Sequence, residues 1–197
     1  REYETFKSII SIFMREINEL DELPEVYYSP QFGELVYRGG KEEMAISRLS
    51  AGYQSLLWMI MDLAYRVCLL NPELSDRSQI KGIVLIDEID MHLHPKWQWN
   101  IIKALSTTFE NVQFVIATHS PIVISSAKEA NLILLDEEQG VTYLPECYGY
   151  AVEDVLCYRQ ESVSRPKNVK VLLDQINESV DDENFNNAEK ALTQLKS

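Results

Sequence analysis

Two short apolar runs, Gly82-Ile83-Val84-Leu85-Ile86 and Val112-Gln113-Phe114-Val115-Ile116, constrain this chain most. The first is an unbroken β-branched run, the pattern of a strand buried on both faces, and the second reads as another buried strand. One run ends in Asp87-Glu88 and the other in Ala117-Thr118-His119. Between them Pro95 stands where a helix can begin, and Trp97, Ile101, Ile102, Leu105 and Phe109 follow at helical spacing. Strands alternating with helices predict an α/β fold with a parallel core sheet flanked by helices.

The remaining chain supports that frame. Phe6, Ile9, Ile10, Phe13, Ile17 and Leu20 form a helical stripe over residues 2–20, which Asp21 to Pro24 brings to an end. Residues 25–28 and 34–37 read as strands across a Ser29-Pro30 turn containing Gly33. Gly39-Gly40 turns the chain again, into a short extended piece at 44–47. Residues 54–70 are apolar nearly all round, which predicts a buried helix, and 71–81 read as a loop. Pro121 opens a short helix, and 132–135 pairs with 141–144 around Glu137-Glu138-Gln139-Gly140. The tail carries one apolar stripe of Val169, Leu172, Leu173 and Ile176, and a second of Phe185, Ala188, Ala191, Leu192 and Leu195. With the turn Asp181-Asp182-Glu183-Asn184 between them, these predict a C-terminal helical hairpin.

At 197 residues and 46% apolar composition the chain can bury a real core, as one domain with an appendage. A net charge of −13 argues against direct nucleic-acid contact by this segment, because tracking a phosphate backbone needs basic surface. Cys68, Cys147 and Cys157 are odd in number and lack C-x-x-C spacing, so neither a disulfide framework nor a zinc knuckle is indicated. A reducing cytoplasm fits that usage. No secretory signal is visible, and the most apolar stretch, 56–70, is interrupted by Asp62 and Arg66 and is too short for a bilayer. The first residue is Arg1 in an already helical pattern, so a preceding segment is expected.

The candidate chemistry gathers at strand ends and one helix start. Asp87 and Glu88 close a buried strand, which puts both carboxylates at the carboxyl edge of the sheet, where open α/β folds bind ligands. Asp87 would help hold Mg²⁺ through water, and Glu88 would orient or deprotonate an attacking water. An ordinary solvated acidic turn is the alternative. His119 should reach the same edge, to donate to a γ-phosphate or position water, unless it is structural. Ser50 and Gly52, in Leu49-Ser50-Ala51-Gly52-Tyr53-Gln54, precede the long apolar helix. Backbone N–H groups there attract phosphate, Gly52 allows close approach and Ser50 adds a hydroxyl; Ser50 can equally be a helix cap. No G-x-x-x-x-G-K-[ST] loop occurs. Gly39-Gly40-Lys41 does not replace it, since Glu42 stands where Ser or Thr should ligate Mg²⁺, so it reads as a hairpin turn. His92 and His94 are spaced for a metal pair, but no cysteine or further histidine lies nearby in sequence.

Taken in order, Leu49-Ser50-Ala51-Gly52, Asp87-Glu88, His92-Leu93-His94-Pro95 and Thr118-His119-Ser120 resemble the signature, Walker B, D-loop and switch-histidine motifs of ABC-type ATPases. The runs 85–95 and 111–121 are similar to the RecF/SMC-like ATPases of bacterial defence loci, and with the tail the resemblance is to the PtuA ATPases of Septu and retron–Septu anti-phage systems. It implies one lobe of a P-loop NTPase whose phosphate loop lies elsewhere. It also implies ATP and Mg²⁺ as ligands, with Glu88 and His119 catalytic, Ser50, Gly52, Gln54 and Asp87 on nucleotide, and Asp87 on the metal. Asp90, His92 and His94 would belong to the D-loop at a dimer interface. Implied partners are a second ATPase head, an HNH nuclease and, in retron versions, a reverse transcriptase with its DNA–RNA product, msDNA.

On this reading residues 1–48 lead into the signature motif, 49–147 form the C-terminal lobe of the ATPase, and 148–197 are a helical tail for partner docking. The 78 residues after His119 are too few for a long nuclease extension, and no nuclease pattern is present. Two other classes compete: a RecF/SMC-like DNA-repair head, and a non-catalytic interaction module that keeps only motif relics.

Overall fold

The computed structural model describes residues 2–40, 42–71, 79–136, 138, 140–158, 166–182 and 184–196. The opening stripe folds as predicted into helix α1 (Glu2–Asn18), with Ile9, Ile10, Phe13, Met14 and Ile17 all buried along one face. That face packs on α2 (Ala51–Leu70) and α3 (Pro95–Thr108). Leu56, Leu57, Ile60 and Ala64 of α2 and Ile101, Ala104 and Leu105 of α3 complete the core.

Between α1 and α2 the chain makes an antiparallel meander of β1 (Glu25–Ser29), β2 (Glu34–Gly39) and β3 (Glu42–Ala45). Register pairs Tyr27 with Val36 and Tyr37 with Met44, and Gly40 takes a left-handed φ of 62° at the β2–β3 turn. A 3-10 turn, Ile46–Arg48, then delivers the chain to Ser50, whose Oγ accepts from the Tyr53 N–H at 3.3 Å and caps α2. The same device recurs downstream. His94 Nδ1 accepts from Lys96 N–H at 3.2 Å ahead of Pro95, and Ser120 Oγ accepts from Val123 N–H at 3.3 Å ahead of Pro121, which opens α4 (Pro121–Ser126).

Strands β4 (Gly82–Ile86) and β5 (Val112–Ile116) pair in parallel, Gly82 opposite Val112 and Ile86 opposite Ile116, with α3 as the connection. Expected burial on both faces is corrected here. Ile83, Leu85 and Val115 are 66%, 76% and 51% exposed, while Ile86, Val112, Phe114 and Ile116 face the core. Successive strand residues point to opposite faces, and the helices of this chain cover one of them. Helix α2 departs in the same sense: its inner face is buried, but Trp58, Tyr65, Leu69 and Leu70 are exposed. The apolar character of these elements is two-sided, while the cover they receive among the described residues is one-sided.

Strands β6 (Leu132–Leu135) and β7 (Val141–Leu144) form the expected antiparallel pair; Glu137 and Gln139 of the intervening turn lie outside the described residues. The same holds for Lys41, and for 72–78 of the loop expected at 71–81. The chain divides into two compact units, Arg1–Tyr150 and Ala151–Ser197. The second unit contains α5 (Val152–Tyr158), which sequence periodicity did not predict, then α6 (Lys167–Asp181) packed on α7 (Phe185–Lys196). The first stripe holds, with Val169, Leu172, Leu173 and Ile176 half-buried. Of the second, Ala188 and Ala191 are buried and Leu195 half-buried, but Phe185 and Leu192 are exposed, and Glu183 of the turn between them lies outside the described residues. No helix among the described residues is long and apolar enough to cross a membrane.

The core assignment has a direct consequence for stability. Phe13→Ala should lower the unfolding free energy by about 3–5 kcal/mol, from lost transfer energy and the cavity left behind. Leu85→Ala in this chain should change it by less than about 0.5 kcal/mol, because the side chain is already in water. Urea titration followed by tryptophan fluorescence measures both; comparable losses would contradict the one-sided burial.

Candidate active site

The parallel pairing of β4 and β5 sets the site. After the last strand pair, Ala117 N–H donates to Ile86 C=O at 2.9 Å and Ile89 N–H donates to Ala117 C=O at 3.3 Å. The ladder thus runs on past the strands, and Asp87-Glu88 and Thr118-His119 leave the same carboxyl edge side by side. Asp87, Glu88 and His119 are all exposed there. Glu88 sits at a φ of 48°, a left-handed conformation that costs a non-glycine residue on the order of 1–3 kcal/mol. The two carboxylates are oxygen donors of the kind Mg²⁺ takes, an ion that keeps several waters. Among the described residues no three His, Cys, Asp or Glu side chains are grouped to hold a metal ion by themselves.

The 90–94 loop is built onto that edge. Met91 N–H donates to Glu88 C=O at 2.9 Å and Leu93 N–H to Asp90 C=O at 3.1 Å, so the loop is two successive turns, not a strand. His92 takes a φ of 63°, and His94 spends its Nδ1 on the α3 cap. These two histidines therefore do not share a strand face. Thr118 Oγ1 donates to the Asp90 carboxylate and accepts from Ser120 N–H at 3.0 Å. Ser120 Oγ donates to Gln98 Oε1 at 2.7 Å, and Gln98 Nε2 donates to Leu93 C=O at 3.0 Å. The chain Asp90–Thr118–Ser120–Gln98–Leu93 ties the loop to the end of β5. Gln98 carried no sequence signal beyond its place on a polar face, and Thr118 was legible only as part of its motif.

The start of α2 meets the same loop. Ser50 is exposed, and its Oγ lone pair is engaged by Tyr53 N–H, which leaves the hydroxyl proton free to donate. A Cβ on Gly52 would lie 2.7 Å from the His92 carbonyl oxygen and 3.4 Å from the Trp97 ring. Within this chain the close approach made at Gly52 is that of the His92 carbonyl. Gln54 folds back, its Nε2 donating to Leu49 C=O at 2.8 Å and Ser47 C=O at 3.2 Å, so its amide braces the turn. The 90–94 loop is the common neighbour of both halves, continuous with Glu88 on one side and in contact with Gly52 on the other.

Sequence reasoning missed the cluster behind this contact. Tyr53 and Trp97 meet edge-to-face at a centroid distance of 5.3 Å, and Tyr37 meets Tyr53 at 5.3 Å. Burial, aided by the hydrogen bond with Tyr37, pushes the Tyr53 hydroxyl far above its ordinary range.

Comparison with known proteins places this geometry. Residues 1–124 match the AAA ATPase domain family. The chain is 36% identical over 137 residues to the retron Vc95 probable ATPase of Vibrio cholerae serotype O1 biovar El Tor, covering 70% of this chain and 26% of that protein. It is 30% identical over 155 residues to the Septu protein PtuA of Bacillus mycoides strain KBAB4, covering 76% of this chain and 20% of that protein. It therefore spans a fifth to about a quarter of the length of these relatives. Among solved structures, a chain from work on ATP-driven dimerization and DNA-stimulated activation of SMC ATPases superposes with a TM-score of 0.52. At 15% identity it covers 81% of this chain and 91% of that one. The fold is that of an SMC/ABC-type ATPase head, and this chain belongs to the AAA ATPase domain family, with Septu PtuA and retron ATPases among its homologues.

Proposed function

We propose that this chain is the signature-and-Walker-B half of an ATP-hydrolysing head in a bacterial anti-phage defence complex of the cytoplasm. The observation that carries this reading is the delivery of Asp87-Glu88 and His119 to one edge of a parallel strand pair, with the Ser50–Gly52 turn packed on the loop that follows. Two heads sandwich ATP, and each site takes Asp87, Glu88 and His119 from one head and the Ser50–Gly52 turn from the other. Asp87 would hold Mg²⁺, which would supply positive charge to offset the phosphates. Glu88 orients or deprotonates the attacking water, and His119 donates to the γ-phosphate. The Ser50 hydroxyl and the first N–H groups of α2 donate across the interface to the partner's nucleotide. Asp90, His92 and His94 lie along that interface. Because those donors exist only in the closed, isologous dimer, hydrolysis is tied to assembly.

The phosphate loop belongs to the remainder of the complete protein. The open apolar face of Ile83, Leu85 and Val115 is the surface that this remainder covers, since a patch of large apolar side chains in water favours burial. Turnover controls a partner, an HNH-type nuclease docked on the acidic helical tail at 148–197 and, in retron versions, a reverse transcriptase with its msDNA.

In the complete protein, Glu88→Gln should lower ATP turnover by about 10²–10³-fold and accumulate an ATP-bound dimer on size-exclusion chromatography. A variant that keeps turnover and does not dimerise with ATP would remove Glu88 from the mechanism. Gly52→Ala should cost roughly 10²-fold in turnover, because the 90–94 loop or the α2 start must shift to admit the methyl group. Calorimetry of the isolated chain with ATP should give no saturable binding tighter than about 1 mM, as phosphate loops supply most of the contacts. Micromolar binding by this segment alone would place the nucleotide elsewhere than proposed.

A further inference from the structure

The last residue of α1, Asn18, joins the two interface elements of the proposed site through its carboxamide. Its Nδ2 donates to Tyr53 Oη at 3.1 Å and to Met14 C=O at 2.9 Å, and its Oδ1 accepts from Trp97 Nε1 at 3.1 Å. Tyr53 directly follows Gly52 in the first turn of α2, and Trp97 stands in the first turn of α3, three residues after His94. One amide therefore binds both helix starts that flank the 90–94 loop. Around it, Trp97 is in edge contact with Tyr53 at 5.3 Å and with His94 at 6.1 Å. The Trp97 ring also closes on the Cβ position of Gly52. Asn100 Nδ2 donates to Ile17 C=O at 3.3 Å, a second tie between the end of α1 and α3.

The chemistry of the site requires a side chain that donates and accepts at once. Trp97 Nε1 can only donate, while Tyr53 Oη, which hydrogen-bonds Tyr37 as well, takes a donor from Asn18. A carboxamide offers both functions, and a leucine of similar size offers neither. The cluster is part-buried, so an indole N–H left there without its partner is costly.

We infer that Asn18 is a positioning residue for hydrolysis: it locks the Ser50–Gly52 turn and the 90–94 loop into one rigid body, so that both face the opposite head in register. Asn18 touches neither substrate nor metal in this arrangement, and the inference rests on the two-head reading above. A small rotation of α2 against α3 would displace the trans donors by a distance that matters to catalysis, since displacement of about 1 Å can cost about 10²-fold. An amide that merely stabilised the fold would lower the melting temperature and the fraction of competent protein, yet leave each competent site as fast as before.

The test uses the complete protein, with ATP turnover normalised to folded protein and KM measured alongside kcat. Asn18→Leu and Tyr53→Phe should each lower kcat by about ten-fold or more with KM for ATP within about three-fold, because binding to a single head depends on the phosphate loop. The double variant should lose little more than the worse single one, as the two side chains form one connection. Tyr53→Phe removes a single oxygen and carries the test alone if Asn18→Leu does not fold. If the wild type hydrolyses ATP and Glu88→Gln abolishes it, but Tyr53→Phe keeps kcat within about two-fold, the inference falls while the ATPase reading stands. Losses that multiply in the double variant would also overturn it. A wild type without ATP turnover overturns both.

Discussion

The burial of one face of α1 between α2 and α3 is the interaction on which the remaining geometry depends. Ile9, Ile10, Phe13, Met14 and Ile17 are each nearly or fully withdrawn from water, worth roughly 1.5–3 kcal/mol apiece before the entropy of ordering is subtracted. That contact fixes more than stability. It ends at Asn18, level with the first turns of α2 and α3, so the register of an apolar stripe decides where the signature turn and the 90–94 loop meet. Gly52 against the His92 carbonyl is the consequence, with no room between them for one methyl group. Two motifs far apart in sequence are thereby held to a backbone contact by packing that begins in a third element.

The two faces of the site have different origins. Its edge, with Asp87, Glu88 and His119, comes from parallel strand pairing; its interface half, with Ser50 and the 90–94 loop, comes from helix packing. The Asp90–Thr118–Ser120–Gln98 hydrogen bonds join the 90–94 loop of the second to the end of β5 in the first. Large apolar residues are left in water on most elements, and on two of them they line up. Ile83, Leu85 and Val115 alternate along the β4–β5 pair, and Trp58, Tyr65 and Leu69 line one side of α2. A strand pair that is apolar on both faces and a helix apolar nearly all round are built for cover on two sides, which fits a segment matching only part of its relatives' length.

Much of this was legible in the sequence, for reasons that differ by element. The boundaries of α3 and α4 follow from Pro95 and Pro121 at their first positions, and β4 and β5 from runs too apolar and too short for surface helices. Side chains whose roles depend on contacts distant in sequence were not legible. Leu85 reads as core because composition cannot show whether a covering layer is present in the same segment. Gln54 reads as a nucleotide contact within its motif; that its Nε2 also donates to the carbonyls of Ser47 and Leu49 carried no sequence signal. His92 and His94 read as D-loop residues, and the turns at Glu88 and Asp90 give them no shared strand face on which to act as a metal pair. Asn18 carries no motif at all. Its role follows from the Tyr53 and Trp97 side chains, 35 and 79 positions away, converging on its amide.

Glu88 shows how such constraints reach the chemistry. Its left-handed backbone is unfavourable for a residue with a side chain, yet the chain on either side leaves little alternative. Ile86 ends a strand locked to Ile116, and Ile89 is buried with its N–H bonded to the Ala117 carbonyl. Only two residues separate the end of the strand from that buried anchor, and the Met91 N–H returns to the Glu88 carbonyl immediately after. The reversal is made at Glu88, and the cost is met by the burial of Ile89 and Leu93 beneath the loop. The direction of the carboxylate proposed to act on water is thus set by apolar neighbours that hold the turn closed, and its strain is a by-product of bringing the 90–94 loop back onto the core.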